Sequence, residues 1–216
     1  ADIQHHHLRR GVIDNTLNPL VFLVEFAGRT HTYTADQFQQ LLFAEDLSPS
    51  ANNFPSDYTM SVRDYFDEIS NGKQEIEEGA GIVDWRTADN SYNYYVDGSQ
   101  GTGEGTHSVE RSAASLVVET AINLDSEGFD FSQYNNGDDV IDVVILIVSG
   151  KGVPYTDNNY FWPHMYFIPT GSDLEKILDN LGTNSNFYQN DAGSLQLDGV
   201  VIRKYIVLHE KYGFSY

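Results

Sequence analysis

The stretch VIDVVILIVSG, residues 140–150, decides the fold. Its apolar, β-branched residues follow one another instead of alternating with polar ones. A strand of that kind is buried on both faces, so it belongs in the middle of a sheet covered on both sides. Upstream, LVFLVEF (20–26) follows Asn18-Pro19 and reads as a second buried strand. Downstream, YFWPHMYFI (160–168) is strand-like but interrupted by Pro163, which marks an edge or a bulge. VVIRKYIVLHE (200–210) makes a last strand, and residues 73–97, including GIVDW, supply one or two more.

Helices fill the intervals. TADQFQQLLF begins at a Thr34 cap and places Phe38, Leu41 and Leu42 on one face. SVRDYFDEISNG has Ser61 as N-cap and Asp64 at the capping-box position, with a stripe of Val62, Tyr65, Phe66 and Ile69 and a stop at Asn71-Gly72. Val109, Ala113, Leu116, Val117 and Ala121 predict a long helix over 107–124, and SDLEKILDNLG (172–182) a capped short one ended by Gly182. The order β-α-α-β-α-β-β-α-β predicts an α/β (α+β) domain with a mixed sheet over 18–216, preceded by an N-terminal arm at 1–17. SPSANNFPSD (48–57) reads as a loop. So does DGSQGTGEGT (97–106), which has no Lys and carries Asp97 and Glu104, unlike a phosphate-binding turn.

The 216 residues carry 32 acidic against 12 basic side chains, a formal charge of −20. Such a surface repels phosphate backbones and anionic membranes, so nucleic acid is excluded as a partner. A hydrophobic content of 40% and an aromatic content of 13% support a sizeable core rather than disorder. With no Cys there is neither a disulfide framework nor a thiolate zinc site. No apolar run reaches the roughly 18 residues of a membrane span, and no signal-peptide pattern is present. His5-His6-His7 is a tag remnant or natural; three adjacent histidines do not share one face of a helix or strand.

FDFSQYNNGDDVID (129–142) gathers Asp130, Asn135, Asp138, Asp139 and Asp142 around Gly137. Hard oxygen ligands at short spacing suit Ca²⁺, and calcium is the candidate cofactor. The loop lacks the twelfth-position Glu of an EF-hand; the alternative is a solvated acidic turn. His164 in WPHMYF reads as a packed, hydrogen-bonded structural residue, and His31 and His107 have no evident partner. LHEKYGFSY (208–216) imitates a zinc-peptidase helix, which needs H-E-x-x-H. The second ligand position holds Gly213, and one imidazole does not hold a catalytic zinc. The β-rich run leading into His209-Glu210 puts the pair at a strand end. No catalytic residue is assigned.

Taken together, VFLVEF, SVRDYFDEISNGKQEIEEGAGIVDW, YNYY, DFSQYNNGDDVIDVVILIVSGKG and FWPHMYF resemble segments of the secreted metallopeptidases related to immune inhibitor A, in the same order, over roughly residues 18 to 210. The resemblance implies a zincin-like fold: a mixed twisted sheet with helices packed on it, and an active-site helix following the last strand. It implies an extracellular, bacterial setting. YIVLHE resembles the strand before that helix, so zinc and catalysis would belong to a longer parent chain. The acidic turn has Asn where the family has Asp and one residue fewer.

Two functional expectations follow. One is the N-terminal portion of a secreted metallopeptidase-like domain, inactive as given. The other is a non-catalytic extracellular binding or self-assembling module on the same scaffold, forming a homo-oligomer through the arm or the sheet edges.

Overall fold

The computed structural model describes residues 16–45, 47, 60–79, 81–103, 107–152 and 158–212. His5-His7, the loop 48–57, most of the 1–17 arm and Gly213 lie outside the described residues. The elements in chain order begin with β1 (Thr16–Leu17), β2 (Leu20–Glu25), α1 (Ala35–Phe43), α2 (Val62–Ser70), β3 (Glu75–Ile76) and β4 (Ile82–Thr87). Next come α3 (Tyr92–Val96), α4 (Ala113–Ser126), β5 (Val140–Ile141), β6 (Val144–Gly152) and β7 (His164–Phe167). The last are α5 (Ser172–Asn180), α6 (Ser185–Tyr188), β8 (Gln196–Leu197), β9 (Val200–Ile202) and β10 (Lys204–Tyr212).

A five-stranded sheet of order β4-β2-β6-β10-β7 organises the molecule. Its first four strands are parallel, and β7 closes one edge in the antiparallel sense. β6 is central, as its unbroken apolar run requires. One face, bearing Leu20, Phe22, Leu146, Val148, Tyr205 and Val207, packs on α4 and α5. The opposite face, bearing Val21, Leu23 and Ile147, packs on Phe38, Leu42 and Phe43 of α1. This is a mixed α/β fold, and its main-sheet elements follow the sequence-derived order.

Several expectations needed correction. VIDVVILIVSG is two strands. The Asp142 carboxylate accepts from the Asn18 backbone N–H at 2.8 Å and from Asn136 Nδ2 at 3.1 Å, turning the chain between β5 and β6. β5 then joins a small sheet of order β5-β9-β8, and the last strand divides likewise, at Arg203, into β9 and β10. Thr16–Leu17, expected in the arm, pair with Glu75–Ile76. YNYYV is the helix α3, not strand: Tyr92 and Tyr95, three apart, share one buried face. α4 starts at Ala113, not 107, because Ser112 forms a capping box with Ser115. In α2 the box of Ser61 and Asp64 and the left-handed Asn71 stop are as expected, but Tyr65 and Ile69 are 49% and 58% exposed. Only Val62 and Phe66 of that stripe reach the core. α5 begins after Gly171 with no side-chain cap, so Ser172 is its first residue.

Candidate functional site

In an open α/β sheet, ligands favour the crevice at the carboxyl ends of the strands where the strand order reverses. Here that point lies between β2 and β6, since β2 connects to β4 on one side and β6 begins the other. The crevice is filled from within. Arg29 donates from Nε to the Ser149 carbonyl and from Nη2 to the Lys151 carbonyl, both at 2.8 Å. Its guanidinium lies 3.9 Å from the Tyr92 ring centroid. Ser149 Oγ donates back to the Arg29 carbonyl at 2.5 Å.

Glu210 completes the filling. Oε1 accepts from the backbone N–H groups of Thr32 and Tyr33, and Oε2 from that of Gly150 at 2.8 Å. Beside it, His209 Nε2 donates to the Phe161 carbonyl at 2.9 Å, and Nδ1 is buried with no hydrogen-bond partner. Burial, more than the neighbouring Arg29 charge, pushes the His209 pKa down, so the ring is a neutral packing group. Both residues lie in strand β10. Their side chains brace a loop and a neighbouring carbonyl.

The calcium candidates form a turn stitched by its own hydrogen bonds. Asn135 Oδ1 accepts from the N–H groups of Gly137 and Asp139, at 2.9 and 3.1 Å, and Asn135 Nδ2 donates to Asp139 Oδ1 at 2.8 Å. Asp138 Oδ1 accepts from the Val140 N–H, and Asp130 Oδ1 from Ser132. Among the described residues no three His, Asp or Glu side chains gather as a metal site. A calcium ion here would compete for oxygens already engaged.

His164 Nδ1–H donates to the Trp162 carbonyl at 2.6 Å, and Nε2 accepts from the Tyr205 hydroxyl at 3.1 Å, a structural role. His31 does have a partner. It bonds Glu25 at 2.7 Å and stacks on Trp85 with ring centroids 4.7 Å apart. His107 lies 3.9 Å from Asp97.

A polar cleft of about 440 Å³ opens at the end of β4, between Trp85–Asp89 and the α4 residues Glu119, Thr120 and Asn123. Glu119 is 2% exposed and could not be singled out among the 32 acids of the sequence. Its carboxylate accepts from the Asp89 N–H at 2.9 Å and from the Tyr95 hydroxyl, tying α4 to the turn after β4 and to α3. Burial raises its pKa, and the two hydrogen bonds offset that only in part. A carboxyl raised in the folded state stabilises fully below the ordinary carboxylate range. That contribution is lost as pH climbs through the raised value. Glu119→Gln, whose amide oxygen still accepts from the Asp89 N–H and whose uncharged NH2 donates to the Tyr95 hydroxyl oxygen in place of accepting from it, is therefore expected to gain melting temperature relative to wild type as pH rises from 4 to 8. A constant difference across that range, measured by calorimetry, would refute this.

Among the described residues, the β7 edge of the sheet carries a run of exposed apolar side chains. Met165, Tyr166 and Phe167 of β7 are 62%, 50% and 56% exposed, and Trp162 precedes them at 47%. The Ile168 N–H donates to the Arg203 carbonyl at 2.8 Å, which makes Ile168 and Arg203 a hydrogen-bonded pair of the antiparallel ladder. Such pairs alternate, so Tyr166 and His164 also face β10. Met165 and Phe167 therefore turn their N–H and C=O groups outward. YFWPHMYFI gave the edge position through Pro163; which residues point outward came from the register.

No protein-family model matches the chain, and no curated protein is significantly similar to it. No helix among the described residues is long and apolar enough to cross a membrane.

Proposed function

We propose that the chain is the N-terminal, sheet-bearing portion of a secreted metallopeptidase-like domain, zincin-like in fold and related to immune inhibitor A. In that setting it holds an extended peptide along β7. The observation that carries this reading is the open antiparallel edge, where Met165 and Phe167 offer two N–H and two C=O groups flanked by exposed aromatic rings. An added strand gains main-chain hydrogen bonds and side-chain contacts together. The sheet and helix order supports the peptidase likeness, and so does the position of β10, the last strand, directly beside that edge. The zinc ligands would come from a helix beyond β10, because His209 and Glu210 are committed to structure. The second reading, a non-catalytic module that pairs edges with a neighbouring copy, draws on the same open strand.

Met165→Pro tests the reading. The Met165 N–H faces outward, so proline removes a donor from the edge without breaking the ladder to β10. Fluorescein-labelled casein, an unfolded chain, should bind wild type and lose affinity about fivefold with Met165→Pro in anisotropy titrations, one edge hydrogen bond being forfeited. The variant's melting temperature should stay close to wild type. Equal binding by the two proteins would remove the reading. Released casein fragments in the presence of zinc would show catalysis that these residues do not explain.

A further inference from the structure

Resting on the reading of β7 as a peptide-binding edge, we infer that the bound segment is acidic, with a glutamate or aspartate opposite Phe167 received by Lys204. Lys204 is the register partner of Phe167, so the two side chains share one face of the sheet. Met165 and Ile206, the next pair but one, lie on that same face. The four residues of β7 carry no carboxylate or permanent cation, in a chain whose formal charge is −20. None of the ion pairs among the described residues uses Lys204. The cation is thus uncommitted beside a neutral, apolar groove.

The reach fits. Strands lie about 4.8 Å apart, so a strand added outside β7 is roughly 10 Å from β10. The four-carbon stem of lysine covers most of that span across the Phe167 ring, and the side chain of a glutamate closes the rest. A lysine or arginine at the same peptide position would face Lys204 as a like charge. Arg203, exposed and immediately before β10, is a second cation near this end of the edge.

The experiment uses the whole chain and blocked pentapeptides of the pattern Thr-Val-X-Val-Thr, with X as Glu, Gln or Lys and moved through each position in turn. Affinities are read by fluorescence anisotropy at low and high salt. The expected result is that, at one position, Glu binds up to about fivefold tighter than Gln, the size of an exposed ion pair, with Lys weakest. Lys204→Glu should reverse the order, Lys204→Gln should level it, and high salt should weaken the Glu preference. Equal affinities for Glu, Gln and Lys, or a Glu preference that survives both variants, would overturn the acidic specificity while leaving peptide binding intact. If no peptide binds and the chain instead self-associates in a manner lost in Met165→Pro, the edge belongs to a second copy and both readings fall. Absence of peptide binding and of self-association would likewise overturn both.

Discussion

Glu210→Ala is expected to cost about 3 kcal/mol of unfolding free energy. Three backbone N–H groups, from Thr32, Tyr33 and Gly150, lose their acceptor at once. Thr32 is exposed and Tyr33 and Gly150 are partly buried, so each donor left unpaired costs about 1 kcal/mol, the low end of the range for a buried group. The damage spreads because the same carboxylate joins the loop after β2 to the end of β6, where Arg29 also bridges. Glu210→Gln should lose about half as much, since its carbonyl oxygen still accepts while its amide must face an N–H. Urea unfolding monitored by tryptophan fluorescence measures both. A catalytic Glu would show the reverse pattern, with stability kept on truncation; unchanged stability in Glu210→Ala would therefore refute the structural role.

Gly101→Ala should lower stability by about 3 kcal/mol, or the melting temperature by roughly 10 °C for a chain of this length. Two costs add. Gly101 has φ +77°, a left-handed conformation that penalises any Cβ by about 1 kcal/mol. A Cβ there would sit 2.2 Å from Cδ1 of Phe161, which is 1% exposed and cannot yield freely. Phe161 also contacts the Tyr92 ring, centroids 5.2 Å apart, and its carbonyl receives the His209 Nε2 proton. A displaced Phe161 would loosen the far end of β10 as well. Thermal scans with wild type alongside decide the matter; a shift below about 3 °C would mean that the turn adapts.

Gly101 also shows why part of the molecule was illegible. In sequence, DGSQGTGEGT reads as loose. In the structure, Gly101 takes the Ala113 N–H on its carbonyl at 2.8 Å, just where the long helix begins. α4 itself is buried almost all round, with Leu116, Val117 and Val118 at 0%, so its sequence offers little polar periodicity to fix where it starts. Tyr65 and Ile69 failed in the opposite way. Their spacing is helical and the helix is real, but α2 lies at the periphery and offers only Val62 and Phe66 to the sheet.

What the sequence determined by itself was local and one-dimensional. The apolar run of β6 required a central strand, the cap at Thr34 and the box at Ser61 started α1 and α2, and Pro163 sent its strand to an edge. The β-rich run before it placed His209-Glu210 in a strand. Only the tertiary structure decided how the polar groups are spent. Arg29 and Ser149, Glu210 and Gly150, Glu119 and Tyr95 meet across 120, 60 and 24 residues. Periodicity follows from the backbone repeat of each element and is written in neighbouring residues. A hydrogen bond between distant residues follows from where whole strands come to rest, and no short window of sequence contains that.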